Sequence, residues 1–350
     1  MRDGFGREID YMRISVIDSC NLNCYYCNPC DNNEHCHALN ILSVKEVLCI
    51  VRAATRLGIK HFRLTGGEPL LHPQLDEMVL QIKKISGVSS VSLTTNAVLL
   101  AQHAKWLKEA GIDSINVSLD TIDASEYERI TKKPLLEEVK HGINAAIECG
   151  IRVKINVVLT PQTDVVALTR YVAKKGTDIR FIEMMPVGEG HTNGVEPYKK
   201  VIGTLSKLYG EPCRINTEKT KEINSGNDKR KIPDNGPAEY YIFPELGIRV
   251  GLIQAIHGKF CDTCNRIRVT ADGRLMPCLG SSVTMDLVPD SCEFTDDLEK
   301  DFVIVQALKA AIKAKPGCHN FNDNAVTYTK TTELKAAEVN AARNMSRIGG

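Results

Sequence analysis

The sequence predicts an α/β protein, a partial (β/α)6 TIM-like barrel. A C-terminal cluster-binding region is expected to close its open side. Short apolar runs alternate with amphipathic stretches from residue 14 to residue 183. Repeated β-then-α order favours a parallel sheet with right-handed crossovers. The alternation stops near Pro186, whereas a complete barrel takes about 250 residues. The barrel is therefore expected to stay open.

The repeating units can be assigned in chain order. Strands are predicted at residues 13–17, 61–65, 90–95, 114–119, 152–159 and 178–183. Helices are predicted at residues 44–57, 74–85, 102–110, 136–149 and 165–175. Glycine follows several of these helices, at positions 58, 111, 150 and 176, as is typical of a helix end. Functional residues in such sheets lie on the loops after the strands.

The pattern weakens after residue 187, where one helix is predicted near 199–208. The charged run 218–231 is typical of a solvated linker. A second region begins near Gly236 and contains a predicted strand at 248–253. We therefore expect a partial-barrel domain at 1–210 and a C-terminal region at 211–350.

Composition narrows the classes of function. The net charge of +1 and the 5% aromatic content argue against a zinc-stabilised nucleic-acid-binding protein, which would need a basic face and stacking residues. There is no apolar run of about eighteen residues and no signal-peptide layout at the N-terminus. We expect a cytoplasmic protein. Its 13 cysteines, an odd number, favour metal ligation over disulfides.

Cys20, Cys24 and Cys27 form a C-x3-C-x2-C triplet after the first predicted strand. Three thiolates can hold an iron–sulfur cubane and leave one iron open, whereas a structural zinc site needs a fourth protein ligand. The triplet resembles the signature of the radical S-adenosylmethionine superfamily. The next loop, TGGEP at 65–69, resembles the GGE motif that binds the amino group of S-adenosylmethionine in that superfamily. Its glycines permit close approach to the backbone, and its carboxylate suits an ammonium group.

Cys261, Cys264 and Cys278 form a second set in a C-x2-C-x13-C layout. These residues alone favour a zinc site and a second iron–sulfur cluster equally. For zinc, Cys292 or His257 could serve as the fourth ligand. Arg266 and Arg268 lie between the cysteines. Because guanidinium groups pair bidentately with phosphate, an anionic ligand is expected beside the metal.

Several segments together are similar to the GTP 3′,8-cyclases, the radical S-adenosylmethionine enzymes that begin molybdenum cofactor (molybdopterin) biosynthesis. The segments are GREIDYMRIS at 6–15, the first triplet, RLTGGEPL at 63–70, RFIE at 180–183, residues 260–279 and MSRIGG at 345–350. The resemblance runs from about residue 4 to residue 350. Two three-cysteine sites combined with a Gly-Gly end are its most specific feature.

The resemblance implies a role for each set of residues. Cys20, Cys24 and Cys27 would hold a [4Fe-4S] cluster that binds S-adenosylmethionine, and Cys261, Cys264 and Cys278 a second [4Fe-4S] cluster facing the guanine of GTP. Cofactor contacts are implied for Tyr26, Gly67, Ser118 and Met185. A GTP pocket is implied by Arg13, Arg63, Thr94, Lys154, Arg180, Arg266 and Arg268. Catalytic roles are implied for Arg266, Arg268 and the terminal Gly349 and Gly350, which thread into the active site in this family.

The implied reaction starts from a 5′-deoxyadenosyl radical that takes hydrogen from C3′ of GTP. Attack on C8 then gives (8S)-3′,8-cyclo-7,8-dihydroguanosine 5′-triphosphate. A flavodoxin- or ferredoxin-like reductant, or dithionite in vitro, would supply the electron, and cyclic pyranopterin monophosphate synthase would receive the product. Neither a nucleic acid nor a membrane is expected as a partner, and the protein would be a monomer or a homodimer. The alternative enzyme is a peptide-modifying radical S-adenosylmethionine protein with an auxiliary cluster.

Three features depart from the family pattern. Asn28 replaces a methionine that commonly follows the third cysteine. His61 stands where a lysine of the triphosphate site is often found, which puts one phosphate contact in doubt. A loop with soft ligands lies beside the first triplet and is expected to be an irregular surface loop, with metal binding as the alternative. Its ligands are Cys30, His35, Cys36 and His37.

Overall fold

One sheet organises the whole chain. The computed structural model describes residues 1–27, 40–187, 194–215, 236–281, 283–287, 297–319 and 321. Its strands are β1 (Tyr11–Ser15), β2 (His61–Thr65), β3 (Ser90–Thr95), β4 (Ser114–Ser118), β5 (Val153–Val158), β6 (Asp178–Ile182), β7 (Cys213–Arg214), β8 (Glu239–Ile242), β9 (Arg249–Ile253), β10 (Arg266–Val269), β11 (Arg274–Met276) and β12 (Met285–Asp286). They follow the order β12-β11-β10-β1-β2-β3-β4-β5-β6-β9-β8-β7.

Helices cover the outer face of this sheet. They are α1 (Val44–Arg56), α2 (Leu75–Lys84), α3 (Leu100–Glu109), α4 (Ala124–Thr131), α5 (Leu136–Glu148), α6 (Val165–Lys174), α7 (Gly203–Tyr209) and α8 (Asp297–Lys313). A π-helical turn at Tyr198–Ile202 leads into α7. No helix within the described part of the chain is both long and apolar enough to span a bilayer.

The predicted units are confirmed, with ends that move by one or two residues. All six predicted strands of the barrel are present, and β1 differs most because it begins at Tyr11 and ends at Ser15. The five predicted helices appear as α1, α2, α3, α5 and α6. Helix α4 was not predicted, because its short apolar face consists of little more than Tyr127 and Ile130. Lys132, at φ 61°, ends α4 in the left-handed conformation.

The C-terminal region extends the sheet at both edges. β10 pairs in parallel with β1, and β9 pairs in parallel with β6. Beyond them, β11 and β8 turn back as antiparallel strands. The sheet does not close into a complete barrel, as predicted, because its edge strands β12 and β7 are not paired with each other among the described residues. Residues 254–265 connect β9 to β10 across the open side. The division at residue 210 stays a prediction, since strands from both sides of it share one sheet.

The apolar core lies between the sheet and the helices. Met12, Ile14, Phe62, Leu64 and Leu93 occupy alternate strand positions and are fully buried. Side chains of a strand point alternately to its two faces, so these residues face the helical layer. The other face of each strand is left for the interior of the barrel.

Helix α5 packs closely on the residues that begin α3. A Cβ on Gly142 of α5 would lie 2.4 Å from the carbonyl oxygen of Ala97 and 3.0 Å from Cβ of Leu100. Glycine inside a helix is normally unfavourable by about 0.5–1 kcal/mol relative to alanine. Here the close approach reverses that preference, because the contacts are to backbone and to a buried residue.

We expect Gly142→Ala to lower the free energy of unfolding by about 1–3 kcal/mol, the usual cost of overpacking. The control is Gly203→Ala at the start of α7, where a Cβ meets nothing within 4 Å and the helical propensity of alanine is expected to stabilise the protein slightly. Urea unfolding of both variants measures the difference. Equal stability changes in the two variants would contradict the packing explanation.

Candidate functional site

The inside of the partial barrel is a cavity of about 650 Å³. It extends along the strands, from residues near their amino ends, such as His61 and Ser90, to residues beyond their carboxyl ends, such as Gly67 and Asn96. Residues between β9 and β10, including Phe260 and Cys261, also line it. The connection that crosses the open side of the barrel is therefore part of the cavity wall.

Polar residues line the cavity at alternate positions of the strands. The inward positions include Arg13, Arg63, Ser92, Thr94, Ser114, Asn116, Ser118, Lys154, Asn156, Arg180 and Arg268. In a complete barrel of this type the interior is filled by branched apolar side chains. A sheet that places hydroxyl, amide and cationic groups there instead is suited to a polar ligand.

The loop after β1 carries Cys20, Cys24 and Cys27, and all three line the cavity. This loop packs on the glycine loop after β2. Gly67 N donates a hydrogen bond of 2.7 Å to Ile17 O, and Glu68 N donates one of 2.7 Å to Ser19 O. A Cβ on Gly67 would lie 2.1 Å from Ser19 O. The glycine is thus required by the backbone that leads into the cysteines.

Glu68 supports the same loop from within the protein. It is 1% exposed, and its carboxylate accepts hydrogen bonds from Thr95 Oγ1 at 2.6 Å, Asn96 N at 2.7 Å and Leu70 N at 3.0 Å. Burial raises the pKa of Glu68 to about 7 against the lowering effect of these donors. In the structure its carboxylate organises the loops after β2 and β3. The predicted role of this loop toward an ammonium group stays a prediction.

The pKa values of the first three thiols are all raised, although by surface area Cys20 is exposed and Cys24 and Cys27 are half-buried. Burial raises the pKa of Cys20 to about 11 and that of Cys27 to about 12. The pKa of Cys24 is also raised, first by burial and then by Cys27 and Asp120. Cys20 Sγ accepts from Leu22 N at 3.5 Å and Asn96 Nδ2 at 3.8 Å. Such donors are suited to a sulfur that becomes a thiolate on metal binding.

Tyr26 and Asp120 form a fixed pair beside these thiols. Tyr26 Oη donates to Asp120 Oδ2 at 2.5 Å, and Val158 N donates to Asp120 Oδ1 at 2.8 Å. Burial raises the pKa of Asp120 to about 6, against the lowering effect of Tyr26. The pair links the cysteine loop to the carboxyl end of β5.

Three arginines lie side by side on neighbouring strands. Arg268 of β10 is in register with Arg13 of β1, and Arg13 is in register with Arg63 of β2. Neighbouring strands are about 4.8 Å apart. Burial, followed by Arg268, lowers the pKa of Arg13, while burial and Arg266 lower that of Arg268 to about 10. Like charges so close together are unfavourable, so this row is suited to an anion.

Other cations in the cavity are held by neighbouring polar or aromatic groups. Arg63 donates to Tyr11 Oη and, at 3.3 Å, to Thr94 Oγ1. Arg180, which is 4% exposed, donates from Nε to Asn156 Oδ1 at 2.9 Å, and its Nη2 has no hydrogen-bond partner among the described residues. Lys154 lies over the ring of Tyr240 at 5.9 Å. The positive charge is therefore distributed along the cavity.

The second set of cysteines lies at the opposite end of the strands from the first. Cys261 and Cys264 precede β10, which is parallel to β1, and Cys278 follows β11, which returns antiparallel to the same end. All three line the cavity. Burial raises the pKa of Cys264, but Arg266 and Lys315 bring it down to about 7. Cys264 thus lies beside cations, whereas the pKa of Cys261 is raised, first by burial.

Each set supplies three soft sulfur ligands around one part of the cavity. Within the described residues, no group of three or more His, Cys, Asp or Glu side chains is arranged to hold a single metal ion. The ligands of a four-iron cubane surround four metal atoms and stand further apart. Of the ligands considered for zinc, His257 is hydrogen-bonded through Nδ1 to Glu183, and Cys292 lies outside the described residues. Three thiols are the ligand number of a cluster with one open iron, and each end of the cavity supplies that number.

The structure brings together every candidate residue that it describes. The cysteines, the cofactor candidates Tyr26, Gly67, Ser118 and Met185, and all the candidates for the substrate pocket line the same cavity. Gly349, Gly350 and the Cys30, His35, Cys36 and His37 group lie outside the described residues. Asp120, Asn156 and Lys315 were missed. For Asn156, the signal would have been polar residues at every second position of an otherwise apolar strand.

Comparison with known proteins gives two family models and many relatives. Residues 14–167 match the Radical SAM superfamily, and residues 177–321 match Molybdenum Cofactor Synthesis C. The GTP 3′,8-cyclase of Clostridium perfringens strain SM101 is 35% identical over 324 residues, covering 92% of this chain and 95% of the relative. That of Petrotoga mobilis is 34% identical over 357 residues and covers 100% of both chains.

The fold also has a counterpart among solved structures. The crystal structure of Streptococcus suis SuiB bound to S-adenosylmethionine matches with a TM-score of 0.57 and 15% identity, covering 86% of this chain and 66% of that chain. At this identity the match concerns the fold alone.

We expect Gly67→Ala to displace the cysteine loop, because its Cβ would meet the carbonyl oxygens of Ser19 at 2.1 Å and Asp18 at 2.5 Å. The variant should lose about 1–3 kcal/mol of unfolding free energy, and Cys20, Cys24 and Cys27 should react faster with a thiol reagent in the metal-free protein. Gly4→Ala is the control, since its Cβ has only an ordinary contact of 3.6 Å. Wild-type labelling rates in Gly67→Ala would show that the loop tolerates a side chain.

Proposed function

The chain belongs to the family of the GTP 3′,8-cyclases within the radical S-adenosylmethionine superfamily, and from this membership we propose the reaction that it performs. It converts GTP to (8S)-3′,8-cyclo-7,8-dihydroguanosine 5′-triphosphate, the first step of molybdenum cofactor biosynthesis. The two curated relatives named above match it over 92% and 100% of its length, so the similarity includes both cysteine sets. This extent favours the cyclase over a peptide-modifying enzyme.

One observation carries the proposal: a cavity that contains thiols at both ends is lined between them by a row of arginines. Arg268, Arg13 and Arg63 are in register on three neighbouring strands. A nucleoside triphosphate carries the negative charge that such a row requires, and guanidinium groups bind phosphate oxygens bidentately. Arg180, Lys154 and Thr94 line the same cavity and extend the polar surface available to the nucleotide.

We assign the first thiols to the cluster that binds S-adenosylmethionine. Cys20, Cys24 and Cys27 would hold a [4Fe-4S] cluster, which together with S-adenosylmethionine supplies the radical that abstracts hydrogen. Tyr26, Gly67, Ser118 and Met185 would contact that cofactor. Tyr26 is held in place by Asp120, so its position does not depend on the ligand. Enclosure within the barrel would exclude water and hold the ribose near the radical.

We assign the second thiols to a further [4Fe-4S] cluster held by Cys261, Cys264 and Cys278. Arg266 and Arg268, which lie next to these cysteines on β10, would position the guanine end of GTP and act in catalysis. Arg266 lies over the ring of Phe260 at 5.1 Å, which fixes the direction of its guanidinium group. The terminal Gly349 and Gly350 are proposed to complete the site.

Further parts of the proposal concern the surroundings of the enzyme. A flavodoxin- or ferredoxin-like protein would supply the electron, with dithionite as its substitute in vitro. Cyclic pyranopterin monophosphate synthase would consume the product. We propose a cytoplasmic location and no nucleic-acid partner.

The test is anaerobic reconstitution with iron and sulfide, followed by incubation with GTP, S-adenosylmethionine and dithionite. Mass spectrometry should detect 5′-deoxyadenosine and the cyclised nucleotide, both dependent on GTP. Cys24→Ala should form neither product, because the first cluster loses a ligand. If 5′-deoxyadenosine forms without any product derived from GTP, the protein performs the radical chemistry but GTP is not its substrate.

His61 offers a prediction about pH. It lines the cavity at the amino end of β2, and its Nδ1 is 2.8 Å from Ser90 Oγ. Its pKa is lowered from 6.5, first by burial, with Lys60 adding to the effect and Asp10 and Asp113 opposing it. The imidazole is therefore neutral at pH 7 and gains its charge only below about pH 6.5. If it reaches the triphosphate, its contribution to GTP affinity should appear as the pH falls.

We expect His61→Lys to tighten GTP binding about 5-fold at pH 8, because lysine is charged there and one exposed ion pair contributes up to about 1 kcal/mol. His61→Gln is the matched control, since it can still bond Ser90 but cannot gain charge, and GTP titrates equally with both proteins. The ratio of wild-type to His61→Gln affinity, measured by calorimetry, should be near one at pH 8 and rise below pH 6.5. A constant ratio would remove His61 from the triphosphate site.

A further inference from the structure

Lys315 is a buried cation at the second set of cysteines. Only 2% of its surface is exposed, although it follows the end of α8 by just two residues. Its ammonium donates to Arg266 O at 2.8 Å and to Pro277 O at 2.9 Å. Lys315 is also close enough to Cys264 to act electrostatically on its thiol.

These contacts join the two segments that carry Cys264 and Cys278. Arg266 is two residues beyond Cys264, and Pro277 directly precedes Cys278. One ammonium therefore fixes the carbonyl groups next to two of the three thiols. Because the segments belong to different strands, this contact sets the distance between ligands that the sequence separates.

Arg7 fixes the backbone just beyond Lys315 and reaches the third cysteine. It donates to Pro316 O at 2.6 Å, Gly317 O at 2.9 Å and Cys261 O at 2.7 Å. Arg7 has its own carboxylate partner, since it forms an ion pair with Asp3 at 2.6 Å. No carboxylate among the described residues forms an ion pair with Lys315. The cluster-ligand candidate on which its positive charge acts is Cys264.

We propose that Lys315 is a positioning residue for the second cluster: it holds the Cys264 and Cys278 segments at ligand spacing and places a fixed positive charge beside the cluster sulfur. This inference rests on the second cluster in the proposed function. A positive charge beside the cluster stabilises the form that has gained an electron, so Lys315 raises the reduction potential. Hydrogen bonds and charge near the sulfurs are the usual means by which a protein sets this potential.

The test uses the full chain with Cys20, Cys24 and Cys27 replaced by alanine, so that iron can bind only at the second set. In this background, Lys315→Met is compared with Lys315→Arg and with Lys313→Met, which removes an exposed lysine at the end of α8. All are reconstituted anaerobically without GTP. The measurements are iron per chain, the rate of iron loss to a chelator, and the midpoint potential followed by electron paramagnetic resonance.

Lys315→Met should lose iron roughly 10- to 100-fold faster, the usual effect of removing a partner of a metal ligand, and its midpoint potential should become more negative. Lys315→Arg should recover most of the potential because it retains the charge, and Lys313→Met should match the parent. If circular dichroism shows that Lys315→Met does not fold, the same measurements are made on Lys315→Gln, which removes the charge but keeps a hydrogen-bond donor.

Unchanged iron retention and potential in Lys315→Met would overturn the assignment. If the parent itself binds no iron, the second cluster fails and Lys315 loses this role with it. If the parent binds a cluster that Lys315→Met retains normally, the proposed function stands and only the role of Lys315 is wrong.

Discussion

The arrangement of cations inside the barrel is the constraint on which the rest of the structure depends. Arg268, Arg13 and Arg63 occupy one row across three strands, where like charges in neighbouring positions oppose folding. Burial and mutual repulsion lower the pKa of Arg13 and Arg268. This repulsion is located in a cavity that a polyanion can enter and where it would neutralise the charge. The apolar core lies elsewhere, between the sheet and the helices.

The two ends of the cavity hold their thiols by different means. At the first end, the absence of a side chain on Gly67 lets the backbone of its loop pack directly against the backbone of the segment that leads to Cys20. Glu68 and Asp120 lie nearby, and desolvation raises the pKa of Cys20 and Cys27. At the second end, the buried cations Arg7 and Lys315 bind carbonyl groups around the cysteines. Cys264 lies beside cations, whereas Cys20 and Cys24 lie beside carboxylates, and so two clusters in one chain would differ in potential.

The sequence predicted the local part of this structure and the contents of the site. The strands at 61–65 and 90–95 have the predicted ends, because period and turn signals are local properties. The place of β10 beside β1 could not be predicted, since it depends on pairing between residues about 250 apart in the chain, such as Arg13 and Arg268. Lys315 was missed for the same reason: a lysine after a helix is ordinarily a surface residue, and only tertiary contacts bury it.

The site cannot belong to either region alone. The row of arginines combines β1 and β2 with β10, and the cavity combines the loop of Cys20 with residues 254–265 and 277–280. Residues 14–167 and 177–321 match separate family models, yet the first strand of one pairs with a strand of the other. Without β10 the first region has two of the three arginines and one set of thiols. Without β1, the strand β10 that carries Arg266 and Arg268 pairs on one side only, with β11. The anion site therefore forms only when both regions fold together, which makes one cavity, rather than two domains, the unit of function.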